Sequence, residues 1–123
     1  MQISEAESVV MEVLWQHSPR CAEEVAVELA REQDWQEATI KTLLNRLLKK
    51  GAIKAVKEGR RYLYAPVLKR EDWVHGQSRS LLDRLFDGRV APLVAHFSEK
   101  GKLSRKDIAE LKRLIGELDD DGK

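Results

Sequence analysis

The 123-residue sequence predicts a mainly α-helical fold with one small β-hairpin. Apolar residues recur at three- and four-residue spacing in six segments, which is typical of amphipathic helices. Between the third and fourth segments lies the run KKGAIKAVKEGRRYLYAP, residues 49–66, in which glycine separates two short strand-like stretches. Such a run predicts two strands joined by a tight turn. A charged fraction of 35% with only 6% aromatic residues also suits a soluble, helix-rich protein.

The first predicted helix begins at a capping box, because Ser4 is followed three residues later by Glu7. It ends near His17, before Ser18-Pro19-Arg20 interrupts the pattern. Its predicted inward face consists of Ala6, Val9, Val10, Val13 and Leu14. The second helix starts at Cys21 and has an inward face of Ala22, Val25, Ala26, Leu29 and Ala30.

The third helix follows a brief polar turn at residues 33–36 and ends at Gly51, which is suited to a left-handed helix stop. Its predicted inward face is Ile40, Leu43, Leu44, Leu47 and Leu48. A hairpin follows, with strands at 53–57 and 60–65, a turn at Glu58-Gly59, and Pro66 ending the pairing. Three short helices and a hairpin predict a winged helix-turn-helix domain over residues 1–67.

Residues 68–123 predict a second, helical domain. Its helices cover 70–86, stopped by Asp87-Gly88, then 90–97, and a last one that begins at Ser104 with Asp107 and precedes an acidic tail at 119–121. Fewer than sixty residues make a marginal independent core, so we expect these helices to pair with a second chain as a homodimer. The alternative is that they fold back on the first domain. The predicted dimerisation residues are Leu81, Leu82, Leu85, Phe86, Val90, Leu93, Val94, Phe97, Ile108, Leu111, Ile115 and Leu118.

Charge is distributed unevenly along the chain, although the net charge is only +1. Residues 1–40 carry a net charge of −7, residues 41–61 a net charge of +7, and the remainder nearly cancels. A basic block of this kind indicates a surface for a polyanion. The simpler alternative is an ordinary solvated face, and the position of the block in the fold must decide.

The fold places this block on the outward face of the third helix and on the hairpin, as in proteins that insert a helix into the major groove of DNA. Arginine and lysine can donate to guanine, asparagine can pair with adenine, and threonine can contact thymine or phosphate. The predicted DNA-binding residues are Thr39, Lys41, Thr42, Asn45, Arg46, Lys49, Lys50, Lys54, Lys57, Arg60 and Arg61. The lysines from 49 onward and the two wing arginines would contact phosphates, whereas Tyr62 and Tyr64 are expected to pack the hairpin on the helices.

Four motifs span nearly the whole chain, namely ISEAESVVMEVLW, TIKTLLNRLLKKGAI, GRRYLYAP and LLDRLFDGRVAPLVAHF. Together they resemble the penicillinase-repressor family of bacterial transcription repressors. The resemblance implies a dimer that binds an inverted repeat in double-stranded operator DNA and blocks transcription, with DNA contacts at Thr39, Lys41, Thr42 and Arg46. It also implies a link to antibiotic resistance.

The chain departs from the family pattern at three places. Asn45 stands where the best-known relatives have threonine, so a different operator preference is expected. Copper-responsive relatives end in paired cysteines, whereas this chain has only Cys21, and we expect no metal or cofactor. Relatives that respond to β-lactams are cut by a membrane-bound sensor metalloprotease at an Asn-Phe bond, which corresponds here to His96-Phe97.

Other function classes find less support in the sequence. No nucleophile elbow, glycine-rich phosphate loop or ligand-spaced His/Asp/Glu group occurs, so we expect no enzyme activity. A winged-helix module that docks an acidic protein partner is the alternative function. The single cysteine excludes an internal disulfide, and no membrane span or export signal is evident, so we expect a cytoplasmic protein.

Overall fold

Six helices and one hairpin follow each other in the predicted order in the computed structural model, which describes residues 1–121. The elements are α1 (Glu5–Gln16), α2 (Ala22–Leu29), α3 (Glu37–Lys50), β1 (Ile53–Glu58), β2 (Arg61–Pro66), α4 (Arg70–Leu85), α5 (Val90–Glu99) and α6 (Arg105–Asp121). The predicted fold class is confirmed. Within the described range, no helix is both long and apolar enough to cross a lipid bilayer.

The chain divides into two compact units, one of residues 1–75 and one from residue 76 onward. In the first unit, helices α1, α2 and α3 enclose the core with the start of the hairpin. This core comprises Val10, Met11, Val13, Leu14, Val25, Leu29, Ile40, Leu43, Leu44, Leu47, Ala52, Ile53 and Tyr64. The predicted inward faces therefore hold for most positions. Ala30 is exposed because α2 ends at Leu29, and Met11 is a core residue that the helical spacing did not predict.

Local signals at the helix ends behave as predicted. The amide of Ser4 donates to Glu7 Oε1 at 2.7 Å and the amide of Glu7 donates to Ser4 Oγ at 3.1 Å, which completes the capping box of α1. Gly51 ends α3 with φ 78°, and its amide donates to the carbonyl oxygens of Leu47 and Leu48. A residue with a Cβ is strained in this left-handed conformation, which explains the glycine.

The hairpin is antiparallel, and its register runs from Ile53 opposite Pro66 to Glu58 opposite Arg61. The turn is Gly59-Arg60, one residue later than predicted. Gly59 has φ 65° at the first turn position, where a two-residue hairpin of this type requires a positive φ, so the glycine fixes the turn. The pairing ends at Pro66 as predicted.

The two wing tyrosines have different environments, although they share a strand face. Tyr64 is 9% exposed and belongs to the core, as predicted, whereas Tyr62 is 51% exposed. The prediction for Tyr62 is wrong because the helices do not enclose its ring, which lies nearer the tip of the hairpin and borders an open cavity. Arg20 forms an isolated bridge with Tyr64, with backbone hydrogen bonds of 2.8 and 3.0 Å, and so joins the α1–α2 connection to the wing.

In the second unit, α4 ends at Leu85, and Asp87 and Gly88 both take positive φ, in agreement with the predicted stop. Helix α6 begins after Ser104, whose Oγ accepts a hydrogen bond from the amide of Asp107 at 3.0 Å. The aspartates at 119–121 belong to α6 and do not form a separate tail. The helix continues through them because no glycine or proline interrupts it there.

Candidate nucleic-acid interface

Helix α3 separates an apolar anchoring face from a polar outward face. Its leucines and Ile40 are buried or half-buried, which fixes the rotation of the helix about its axis. The opposite face presents Thr39, Lys41, Thr42, Asn45, Arg46 and Lys49, all of which are exposed. These positions recur at three- and four-residue spacing, so they form one continuous surface over nearly three helical turns. The structure thus brings together the helix residues predicted to contact DNA.

Thr42 has a restricted role on this surface. Its hydroxyl donates a hydrogen bond to the carbonyl oxygen of Ala38 at 3.0 Å, which is a common bond for threonine within a helix. The proton of the hydroxyl is therefore already used, and the oxygen remains available as an acceptor. In this conformation Thr42 can accept from an amino group of a base or offer its methyl group to thymine, but it does not donate to phosphate.

The wing carries four exposed basic residues on two sides of the hairpin. Lys57 pairs with Tyr62 on the face that points toward the helices, and Lys54 pairs with Ala65 on the other face. Arg60 lies in the turn and Arg61 begins β2. Arg61 approaches Glu58 at 3.8 Å, but both side chains are more than half exposed, so this pair holds the arginine weakly.

A cavity of about 210 Å³ lies where α2, α3 and the wing meet. It brings Lys41 of α3 next to Arg60 and Arg61 of the wing, so the two predicted parts of the basic surface are continuous. Tyr62 lines the same cavity, which places an exposed aromatic ring beside three cations. The full lining is Cys21, Ala22, Glu23, Lys41, Arg60, Arg61, Tyr62 and Tyr64.

Lys50 has a different environment from the other predicted phosphate contacts. Its Nζ lies 2.5 Å from Oε1 of Glu7, a carboxylate that is 1% exposed in the first turn of α1. Burial by itself raises the pKa of Glu7, but hydrogen bonds from Lys50 and Ser4 and the charge of Lys50 outweigh it and hold that pKa below its ordinary value. Lys50 therefore binds α3 to α1, and we propose a structural role for it in place of the predicted phosphate contact.

Arg20 is a positioning residue that the sequence pattern did not reveal. Its Nε donates to the carbonyl oxygen of His17 at 2.8 Å, and its guanidinium lies 3.7 Å from Glu28. Together with the backbone bridge to Tyr64, these contacts attach the wing to α2. The bridge between Arg20 and Tyr64 involves one residue on each side, so it leaves no repeating pattern in the sequence. Only the prolines and polar residues near these two positions could have suggested that the α1–α2 connection is ordered.

The second unit leaves much of its predicted dimerisation surface open. Leu85, Ile115 and Leu118 are 63%, 57% and 69% exposed. Leu81, Val90, Phe97 and Ile108 are also exposed, whereas Phe86, Leu93, Val94 and Leu111 are half-buried and Leu82 is buried. A cavity of about 270 Å³ between α5 and α6 is lined by Leu93, Val94, Phe97, Leu103, Asp107, Glu110, Leu111 and Leu114.

The predicted cleavage pair lies within α5. His96 and Phe97 are both exposed, and their rings meet edge to face with centroids 5.2 Å apart. The ring of Phe86 is 6.2 Å from that of His96. Because the peptide bond between His96 and Phe97 is inside a helix, a protease would need α5 to open locally before it could bind this segment in extended form.

The winged-helix fold and the cationic face of α3 define a protein of the class that binds nucleic acid through a helix and a wing. Comparison with known proteins gives the family. The sequence pattern of the penicillinase repressor family matches residues 3–117, so the chain belongs to this family.

Two relatives cover nearly the whole chain. The penicillinase repressor of Bacillus licheniformis is 40% identical over 116 residues, which cover 94% of this chain and 91% of that protein. The methicillin resistance regulatory protein MecI of Staphylococcus aureus is 32% identical over 114 residues, covering 93% of each chain. Among solved structures, the monomeric form of Bacillus licheniformis BlaI in complex with the blaP half-operator matches with a TM-score of 0.51 and 46% identity. This match covers 58% of this chain and 88% of that structure.

Proposed function

We propose that this protein is a sequence-specific, DNA-binding transcriptional repressor that acts as a homodimer in the cytoplasm. The observation that carries this proposal is the continuous outward face of α3, whose threonines, asparagine and basic residues adjoin the wing arginines around one cavity. The relatives support it, because their names describe repressors and a regulatory protein, and one of them has been solved on a half-operator.

The residues divide into two roles according to their position. Lys41, Asn45 and Arg46 lie on the helix that would enter the major groove, where their donors can distinguish bases. Lys49, Lys54, Lys57, Arg60 and Arg61 lie around that helix and would contact phosphates, which provides affinity through counterion release but little sequence information. Thr39 and Thr42 complete the base-facing row.

The exposed apolar row of the second unit supports a dimer. Large aliphatic side chains on α4 and α6 that are more than half exposed would be costly for a monomer in water. A two-fold dimer would cover them and present two copies of α3, which matches an operator made of an inverted repeat. Binding at one half-site then raises the effective concentration of the second α3 at the other half-site.

A binding experiment with two matched variants tests this proposal. Fluorescence anisotropy would measure the affinity of the wild type, Arg46→Ala and Lys57→Ala for promoter DNA upstream of the gene and for random DNA of equal length. We expect affinity to fall steeply with salt. Arg46→Ala should reduce the preference for the promoter about tenfold or more, whereas Lys57→Ala should weaken both complexes by a similar factor.

Equal losses on promoter and random DNA for both variants would show that Arg46 does not discriminate bases. A wild type that binds an acidic protein but prefers no DNA would favour the protein-interaction alternative. Circular dichroism of each variant, compared with that of the wild type, detects a folding defect that would lower binding for another reason.

We further propose that a sensor metalloprotease inactivates the repressor by cutting between His96 and Phe97. Cleavage there would cut α5, separate α4 and most of α5 from α6, and so remove part of the dimerisation surface. In cells exposed to a cell-wall antibiotic, we expect two fragments that meet at this bond and induction of the repressed gene. Induction with an intact chain would contradict the proposal.

A further inference from the structure

We propose that Trp15, Trp73, Glu12 and Arg70 form a clamp that fixes the first turn of α4 on α1 and sets the spacing between half-sites that the dimer accepts. The inference rests on the proposed function and adds positioning residues to it. None of the four residues belongs to the predicted DNA-binding surface.

The chain is bound back to the helices as soon as it leaves the wing. The amides of Val67 and Leu68 both donate to the carbonyl oxygen of Ala52, at 2.8 and 3.0 Å. The carbonyl oxygen of Leu68 then accepts a hydrogen bond of 2.9 Å from the indole Nε1 of Trp15 on α1. The side chain of Leu68 packs against the core. The segment that precedes α4 is therefore held at several points and does not act as a flexible linker.

The first turn of α4 contacts α1 through two further pairs. The indole rings of Trp15 and Trp73 lie 5.5 Å apart with an interplanar angle of 38°. Arg70 binds Glu12 with its Nε at 2.8 Å from one carboxylate oxygen and an Nη at 3.4 Å from the other. Trp73 Nε1 is buried and has no hydrogen-bond partner in the described part of the chain, so the side chain of Trp73 contributes its ring surface to the contact and no hydrogen bond.

The clamp joins α1, which packs against the proposed DNA-binding helix α3, to α4, which carries part of the proposed dimerisation surface. Helix α1 packs against α3 in the core, and α4 is a single helix from Arg70 to Leu85. A helix is a stiff connection, whereas a flexible connection would allow many distances between the two copies of α3 in the dimer. A stiff connection concentrates the second α3 at a narrow range of distances and gives high effective concentration only for an operator of matching spacing.

The test measures affinity for a series of duplexes with full-length protein. The duplexes are one half-site, the native inverted repeat, and the same repeat with one or two base pairs added or removed between half-sites. We expect the wild type to prefer the native spacing. Trp73→Ala should keep its dimeric state by sedimentation and its half-site affinity within about twofold, yet lose about tenfold on the native operator and respond little to spacing.

Conservative and matched variants separate positioning from folding. Trp73→Phe should retain the spacing preference, because the indole nitrogen makes no bond there, whereas Trp15→Phe should weaken the preference by removing the bond to Leu68. Trp35→Ala is the control, since Trp35 also packs on the core, lines a cavity beside the start of α1, and belongs to neither α4 nor the clamp. It should change half-site and full-operator affinities by the same factor.

If Trp73→Ala does not fold, the exposed variant Arg70→Ala decides the question, with the same direction of change expected. The clamp is overturned if wild type and clamp variants depend equally on spacing, or if the wild type accepts all spacings alike. Either result leaves the proposed function intact. A wild type without preference for any operator over random DNA would instead remove the proposed function.

Discussion

At the scale of single residues, the ion pair between Glu7 and Lys50 shows that the basic run at residues 41–61 contains a residue that stabilises the fold beside residues predicted to contact DNA. Glu7 caps α1 and is buried, so its carboxylate requires the Ser4 amide and the Lys50 ammonium as partners. Removing one partner of such a pair costs more than the pair contributes, because the other group remains desolvated. Lys50 is therefore expected to matter for stability more than any neighbouring lysine.

We predict that Lys50→Met lowers the free energy of unfolding at pH 7 by about 2 kcal/mol, since it leaves the Glu7 carboxylate without its cation. The value is below that of a fully buried pair because the lysine side chain is 38% exposed. Lys49→Met, on the exposed face, should change stability by less than about 0.5 kcal/mol. Urea denaturation measures both. Equal effects of the two substitutions would show that the Glu7 contact does not stabilise the fold.

The same pair predicts an acid-sensitive stability. The pKa of Glu7 is lowered in the folded protein, so its stabilising contribution is complete above its ordinary pKa and is lost as the pH falls through the lowered value. Glu7→Gln should therefore be less stable than the wild type at neutral pH, and the difference should shrink below pH 4, roughly where an unfolded glutamate titrates. Denaturation midpoints across this range provide the measurement. A constant difference at every pH would exclude the titration of Glu7 as its cause.

At the scale of elements, replacement of glycine by alanine is predicted to lower the stability of the fold at one position and to raise it at another. Gly51 ends α3 with φ 78°, whereas Gly76 lies within α4, and a methyl group at either position meets no atom within 4 Å. Gly51→Ala should lower stability by about 1 kcal/mol through backbone strain alone. Gly76→Ala should raise helix stability by about 0.5–1 kcal/mol. Thermal unfolding of both variants tests this, and a shift of the same sign in both would contradict it.

The elements themselves could largely be predicted from the sequence, because helix caps and apolar periodicity are local signals. The Ser4–Glu7 box, the stop at Gly51 and the stop at Asp87-Gly88 each depend on a few adjacent residues. The errors occur where tertiary position decides. Tyr62 lies on the same strand face as Tyr64 but is not enclosed by the helices, and the partner of Lys50 is 43 residues away in sequence.

The same limit applies to the candidate site. The outward face of α3 follows from the leucine spacing, since fixing one face of a helix fixes the other. The meeting of Lys41 with the wing arginines, the bridge from Arg20 to Tyr64 and the clamp at Trp15 depend on long-range contacts that no local pattern encodes.

At the scale of the whole molecule, the two units differ in how completely they satisfy their own apolar residues. The first unit encloses a core of thirteen residues, whereas the second has Leu82 as its one buried hydrophobic residue among the residues described. Its exposed row on α6 contains Ile108, Leu114, Ile115 and Leu118. A second copy of this chain would cover that row, so the stability of the second unit should depend on protein concentration.

A single charge introduced into that row should therefore weaken dimerisation without changing the affinity for a half-site. We predict that Ile115→Asp raises the dimer dissociation constant by about 30-fold or more, because an aspartate at a buried apolar contact costs at least about 2 kcal/mol. The variant should bind a half-site like the wild type and lose its advantage on the full operator. Ala109→Asp is the matched control, since it adds the same charge to the opposite, exposed face of α6. Sedimentation measures the dimer dissociation constant, and fluorescence anisotropy measures the affinity for DNA. Two variants with identical assembly would show that this row is not the dimer contact, whereas loss of half-site binding by Ile115→Asp would mean that the first unit depends on the second.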